Sequence, residues 1–355
     1  VGAILGRLGR VENDRMLEHS LIYALIEIDD PEATRAGLDS ENPKVISGVL
    51  RALHEMPSGE LEIFSVLPHL DSEDPSLRKT AADLAVGTPE WDAAIANRFF
   101  EWDEINEARR LTMESVIAAF ANHPPIRDFL TSLVTSEEAD RKELGLSLMA
   151  GAPDLEIVSE WEPALAPFLT LEAPPELREL SLKILAADPG ERFGAELNAL
   201  VAEESLPRLT RLRATQATAS QEALLHDTSF QLLLEILKEA RDTKTRAEAI
   251  AILVSARLTA AQRIEVAQLA DHFTPVEVPA LMQLFRALRS GEEAGALAGA
   301  LVNSPAFASY DMERLEQLFR PFPNAFSDEL QAEMQAVRDE ASQRAGKIDA
   351  LIRNL

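Results

Sequence analysis

Two patterns in this chain have residue types that could do chemistry: a serine followed three residues later by a lysine, and a short acidic run before a proline. Ser76 and Lys79 have the spacing of a serine nucleophile and its lysine partner, but the other motifs of such a site are missing. Residues 71–74 resemble the start of a calcium loop, but Pro75 and the lack of a loop glycine indicate a capped turn instead. We therefore predict no catalytic residue here.

Metal and cofactor ligands are equally sparse. None of the six histidines forms an i, i+4 pair with another, and no H-E-x-x-H motif occurs, so we predict no metal site, although ligands from distant repeats could still meet. The chain has no cysteine, which excludes disulfides, thiolate nucleophiles, iron–sulfur clusters and covalently attached haem c within it. We predict no cofactor in this segment.

Aromatic residues make up only 5% of the chain, yet four lie within residues 91–102. Trp91, Phe99 and Trp102 share a helical stripe with apolar neighbours, which is typical of core packing. Phe100 points about 100° away from Phe99 on an ideal helix, so it is a candidate anchor for a partner. Phe100, together with Trp102, is our candidate interaction surface.

Helix starts are the clearest local signals. A side chain that can cap a helix stands before a proline at four places, and the missing proline N–H costs nothing at the first helical position. A fifth start, Thr274 to Glu277, has the pattern of a capping box. The four proline starts are Asp30-Pro31, Asn42-Pro43, Asp74-Pro75 and Thr88-Pro89.

An arginine recurs near the start of these helical segments, with steps of 31 to 37 residues. Two helices per period and no strand signal are typical of an all-α superhelix, a HEAT- or armadillo-like α-solenoid. We predict about ten helix pairs forming one domain over residues 1–355, with 310–355 as C-terminal capping or connector helices. The marker arginines are Arg78, Arg109, Arg141, Arg178, Arg211 and Arg246.

The predicted pairs are 14–40, 42–70, 74–102, 106–135, 139–170, 174–204, 207–240, 243–272, 276–303 and 310–355. Because the chain starts at Val1 within an apparent helix, we interpret it as a segment of a longer protein.

The net charge of −26 arises from 60 acidic and 34 basic residues. Such a surface repels phosphate groups, so we expect no nucleic-acid partner. No apolar run reaches the roughly 18 residues of a membrane span, so we expect no direct membrane insertion. Solubility is the ordinary explanation of this charge, and steering of a basic protein partner is the sharper hypothesis.

The first hundred residues resemble a known family. The segments that carry the resemblance are Gly6–Gly9, Glu18–Ile28, Asp30–Glu32, Asn42–Leu53 and Pro89–Trp91. They are similar to the HEAT-repeat segment of the bacterial membrane-bound dehydrogenase-like proteins, also described as haem-binding CxxCH proteins. In that family a β-propeller precedes the repeats and a cytochrome c domain follows them.

The resemblance implies a non-catalytic scaffold that links a dehydrogenase-like propeller to a cytochrome c domain in an extracytoplasmic or periplasmic protein. Its haem c would belong to a downstream domain outside this chain, and its partners would be proteins or flanking domains. The alternatives are a helical-repeat enzyme, for example one resembling a bilin lyase, or a peptide- or polysaccharide-binding groove, with the site in a concave face.

Overall fold

The computed structural model describes residues 1–11, 14–190, 192–220, 223–274 and 290–303, with scattered positions in 276–284 and 313–347. Every regular element in these residues is helical, and a lone parallel bridge joins Leu224 to Arg257. The all-α prediction is confirmed. The chain forms two compact units, 1–167 and 168–355. One continuous domain over the whole length stays a prediction.

The first unit contains ten α-helices among its described residues, and short 3₁₀ turns lie between several of them. The helices are α1 (Gly2–Leu8), α2 (Arg15–Ile28), α3 (Pro31–Arg35), α4 (Pro43–Glu55), α5 (Pro75–Gly87), α6 (Asp92–Phe100), α7 (Glu107–Phe120), α8 (Pro124–Val134), α9 (Ala139–Gly151) and α10 (Glu162–Leu165).

The second unit continues the same alternation of longer and shorter helices. Its described helices are α11 (Pro175–Ala187), α12 (Gly194–Ala202), α13 (Arg208–Thr218), α14 (Asp227–Glu239), α15 (Thr243–Ser255), α16 (Ala260–Ala267) and α17 (Gly291–Asn303). Seven of the first eight predicted pairs each match two described helices. In the second pair, 42–70, two 3₁₀ turns, Ile63–Ser65 and Leu67–His69, stand in place of the second helix. The first helix of the ninth pair falls largely outside the described residues, and so do the predicted capping or connector helices of 310–355.

Side-chain caps begin the helices as predicted at three of the four proline starts. The Asp30 carboxylate accepts the Ala33 N–H at 3.0 Å, and the Asn42 side chain accepts the Lys44 N–H at the same distance. Asp74 accepts from the N–H groups of the two residues after Pro75. These bonds satisfy amides that have no partner within the first turn of a helix.

The predicted cap at Thr88 is wrong. The three residues after it form a 3₁₀ turn, and α6 begins only at Asp92, so the amides of that helix lie beyond the reach of Thr88. Its hydroxyl is buried without a hydrogen-bond partner among the described residues. At the fifth start, the predicted contact is present, since Glu277 accepts the Thr274 N–H at 2.8 Å.

The helices of each unit stack in two layers. In the first unit α4, α5, α7 and α9 pack on one another in turn, and α6 packs on α8. In the second unit α11, α13 and α15 form the same kind of row, with α12 against α14 beside it. Each pair therefore buries its apolar stripe against its neighbours, which is the packing of a HEAT-like repeat.

The arginines that mark the sequence period share a role in this stack. Five of them donate from the first helix of a pair to a carbonyl at the end of the preceding loop or helix, where carbonyls lack partners. These five are Arg78, Arg109, Arg178, Arg211 and Arg246, bonded to Ser72, Glu104, Thr170, Val201 and Leu237 respectively. The sixth, Arg141, is exposed.

Polar side chains also join successive pairs directly. The hydroxyls of Ser47 and Thr80 lie 2.7 Å apart in the core, and the buried Trp161 indole N–H donates to the Thr131 hydroxyl at 2.7 Å. Residues in these bonds are separated by 33 and 30 positions, close to one repeat. The repeat length seen in the sequence is therefore also the spacing of the residues that bond one helix pair to the next.

Candidate functional site

An ion-pair cluster lies beneath the candidate surface. Its residues come from the loop after the second helix pair, from the third pair and from the start of the fourth pair. Asp71 lies just after a 3₁₀ turn and is only 15% exposed. Its carboxylate accepts two hydrogen bonds from Arg109 in the first turn of α7, at 2.9 and 3.1 Å. Arg98, near the end of α6, approaches the other carboxylate oxygen to 3.5 Å. Asp71 thereby fixes both ends of the loop that joins α6 to α7.

That loop, residues 101–106, is held by the same arginine. Arg109 donates to the Glu104 carbonyl at 2.7 Å, and its guanidinium lies 5.2 Å from the centre of the Trp102 ring, a cation–π distance. Asn106 caps α7 by accepting the Arg109 N–H at 2.9 Å. The loop therefore has one well-determined conformation, although it contains no regular structure.

Under the loop lies a small aromatic core. Phe99 contacts Trp102 at a ring-centre distance of 5.1 Å and Phe129 of α8 at 5.5 Å. Phe99, Trp102 and Phe129 are all buried. Phe100 packs edge-on against Phe129 at 5.1 Å, with the rings at 86° to each other, and is 47% exposed.

The structure separates the two residues of the predicted interaction surface. Phe100 is on the surface, whereas Trp102 is only 6% exposed and cannot touch a partner without rearrangement. Trp102 is therefore removed from the surface, because it closes the aromatic core that supports Phe100. That Phe100 binds a partner stays a prediction.

Carboxylates follow Phe100 closely. Glu101, Asp103, Glu104 and Glu107 are exposed, and the segment 101–107 contains no basic residue. Glu101 pairs with Arg98 at 3.1 Å, and no described cation lies within ion-pair distance of the other three. We call Phe100 and these four carboxylates the Phe100 surface. The carboxylates that follow Phe100 do not stand out in the sequence, because acidic residues are common throughout the chain.

Two cavities offer alternative sites. One of about 420 Å³ lies in the second unit, with a mostly apolar lining that includes Ile250 and Val254 of α15 and, farther along the chain, Thr274 and Glu277. Burial raises the pKa of Glu277, whereas hydrogen bonds from Arg246 and from the Thr274 amide lower it. The hydrogen bonds have the larger combined effect, so the pKa of Glu277 lies below the ordinary 4.5. A carboxylate held this way is a poor general base.

The other cavity, of about 370 Å³, lies in the first unit between Arg35 and residues 60–65. Arg35 donates there to the Glu60 carbonyl at 2.8 Å, so its guanidinium already has a structural hydrogen bond within the fold. In the 420 Å³ cavity the Thr274 side chain bonds to Glu277, but Arg246 already neutralises that carboxylate.

Metal and proton chemistry find little support in the described residues. No three side chains of His, Asp or Glu there converge as metal ligands. Burial lowers the pKa of His69, and the charge of Asp71 partly opposes that shift.

Among the helices that the structure describes, none combines the length and the apolar character needed to cross a membrane.

Comparison with known proteins finds similar chains among the solved structures. No protein-family model and no curated protein matches the chain. A chain from the solved structure of Kap95p with RanGDP matches at a TM-score of 0.37 and 10% identity, over 94% of this chain and 50% of that one. This chain thus spans about half of that neighbour. Such a TM-score carries no argument, so the description of the fold rests on the helices and contacts above.

Proposed function

We propose that this chain is a non-catalytic HEAT-like scaffold that binds a protein partner or flanking domains. The observation that carries the proposal is the Phe100 surface, where an exposed aromatic ring packs on Phe129 and exposed carboxylates follow it along a loop held by Asp71, Arg98 and Arg109. Buried side chains elsewhere serve packing and pair-to-pair contacts. An enzyme would need titratable groups that converge on a substrate in a pocket. In one described cavity Glu277 is paired with Arg246, and in the other Arg35 is bonded to the Glu60 carbonyl.

The finer proposal is that the scaffold spaces a dehydrogenase-like propeller from a cytochrome c domain in a bacterial protein outside the cytoplasm. The sequence resemblance of about residues 1–102 supports it. This chain has no cysteine, so haem c attached by thioether bonds would have to be carried by another domain.

Two measurements test these levels separately. Sequencing the natural reading frame on both sides tests the finer proposal: we expect a C-x-x-C-H motif downstream of residue 355 and a propeller-like region upstream of residue 1. Neither being present would overturn the linking role.

Cross-linking mass spectrometry of the natural protein in its own cells tests the scaffold itself. We expect recurrent cross-links from this chain to one protein or to flanking domains. Turnover of a small molecule by the purified chain, abolished by substitutions within one cavity, would overturn the non-catalytic role.

A further inference from the structure

We propose that the Phe100 surface docks a basic protein segment, with one apolar side chain of that segment seated on the Phe100 ring and flanking lysines or arginines paired with the carboxylates. The inference rests on the proposed scaffold function and deepens it by naming the chemistry of the partner.

Phe100 is ready to receive an apolar group without reorganising. Its ring stands edge-on against Phe129, which is 2% exposed and itself contacts Phe99. A ring already held by its neighbours loses little conformational entropy when a partner covers it. Aromatic side chains placed in this way are common anchors of protein interfaces.

The charge around the ring selects a basic partner. Four carboxylates lie within seven residues. Arg98 pairs with Glu101 and Asp71, and Arg109 pairs with Asp71 beneath the loop, so Asp103, Glu104 and Glu107 have no ion pair with a described cation. A nucleic acid or an anionic membrane would place phosphates against these carboxylates and be repelled. A bound metal ion is also disfavoured, because no described group of three acidic or histidine side chains converges to hold one.

A matched surface in the second unit shows what the proposal requires. Leu171 is 46% exposed, nearly the same as Phe100 at 47%. It lies in the loop before the first helix of a pair, and Phe100 is the last residue of α6, directly before the equivalent loop. That loop, residues 169–174, contains a single carboxylate, Glu172. An exposed apolar side chain without the surrounding charge should not select a basic segment, so Leu171 serves as the control.

The test uses two fluorescein-labelled nonapeptides and the full chain. One peptide has leucine at its centre and lysine elsewhere, and the other has serine at its centre. We expect anisotropy titrations to show about tenfold tighter binding of the leucine peptide, the effect of burying one leucine side chain on an apolar surface. Phe100→Ser should abolish this preference, Phe100→Leu should retain most of it, and Leu171→Ser should leave it unchanged.

A second set of variants tests the charge. The triple variant Asp103→Asn, Glu104→Gln, Glu107→Gln should weaken both peptides severalfold and reduce the change in affinity between roughly 20 and 300 mM salt. The matched control neutralises another exposed acidic run, Glu137→Gln, Glu138→Gln, Asp140→Asn, and should have a much smaller effect.

Three results would overturn the inference: equal binding of the two peptides by the natural chain, an unchanged leucine preference in Phe100→Ser, or equal losses in the two triple variants. If the natural protein still cross-links to a partner elsewhere on the chain, this docking site is wrong while the scaffold function stands.

Discussion

Two loops of this protein, residues 101–106 and 169–174, occupy the same place in the repeat yet present different surfaces. Each precedes the first helix of a pair, and each is fastened by an arginine from the first turn of that helix, Arg109 or Arg178. Arg178 is buried and donates to three loop carbonyls, whereas Arg109 divides its bonds between one carbonyl and Asp71.

The contrast separates what the fold needs from what function can use. The arginine bonds to backbone carbonyls hold each loop, so most of the loop side chains can vary, apart from Trp102 and Asn106 in the first loop. The first loop contains three carboxylates and is flanked by Phe100 and Glu107, whereas the second contains Leu171 and one carboxylate. The repeat therefore fixes where each loop lies, and the amino-acid composition of the loop decides which partner it can bind.

The largest expected effect is at Arg178. Arg178→Ala should lower the free energy of unfolding by about 3–4 kcal/mol, because three carbonyls lose charge-assisted bonds at a site where water has little access. Urea denaturation of the full chain measures this, with Arg141→Ala as the exposed control at the equivalent position of another pair. Equal losses in the two variants would contradict the role of buried arginines in the repeat.

Arg246 donates both to a backbone carbonyl and to a carboxylate, that of Glu277. The contribution of its ion pair with Glu277 to stability should depend on pH. The two side chains form a bidentate pair, at 2.5 and 2.9 Å, and both are about 8% exposed. Glu277→Gln should cost about 2–3 kcal/mol at neutral pH, since a buried guanidinium loses its counter-charge. Stability measurements from pH 7 to pH 3 compare this variant with the natural chain.

The sign of the pH effect follows from the lowered pKa of Glu277. The net shift places the folded pKa below the ordinary 4.5, so the ion pair stabilises the fold fully above that pH, and its contribution is lost as pH falls through the folded value. The difference between the natural chain and Glu277→Gln should be constant above about pH 5 and shrink below it. A difference that grows in acid would contradict the pairing.

A smaller effect is expected at Arg109, because its side chain is 25% exposed and Arg98 still neutralises Asp71. Arg109→Ala should cost about 2 kcal/mol. Arg110→Ala, one residue away, removes an exposed i, i+4 pair with Glu114 and a long hydrogen bond of 3.4 Å to the Ser147 hydroxyl, and should cost about 0.5 kcal/mol. Thermal unfolding of both variants compares them, and equal effects would show that Asp71 does not fix the loop.

The smallest changes in stability should come from the two exposed apolar side chains. Phe100→Ser and Leu171→Ser should each cost about 1 kcal/mol, since each side chain is about half exposed. Differential scanning calorimetry of the two variants checks that any difference in peptide binding arises at the surface. A loss several times larger for Phe100→Ser would assign its ring to the core.

Local chemistry was predictable from the sequence where one residue acts on its neighbours. Asp30, Asn42 and Asp74 cap the helices that follow them, and seven of the first eight predicted pairs match observed helix pairs. Thr88 shows the limit of that logic, because the same threonine-proline start opens a 3₁₀ turn before α6. The choice between the two geometries depends on how the next helix packs, which no short motif contains.

The candidate site was predictable only in part for a similar reason. Helical spacing placed Phe100 apart from Phe99, and the ring is indeed on the surface. The burial of Trp102 and the bonds from Arg109 to Asp71, 38 positions earlier, depend on contacts between pairs. The arginine period was visible in the sequence, but its purpose required the carbonyl partners that only the stack brings within reach.

The bonds between the Ser47 and Thr80 hydroxyls and between Trp161 and Thr131 connect residues about thirty positions apart. Contacts that close such short loops have a small entropic cost, so folding within a unit can begin at any pair and grow outward. Damage should remain local for the same reason. Losing one contact weakens two adjacent pairs, and pairs farther along should exchange their amide hydrogens at unchanged rates.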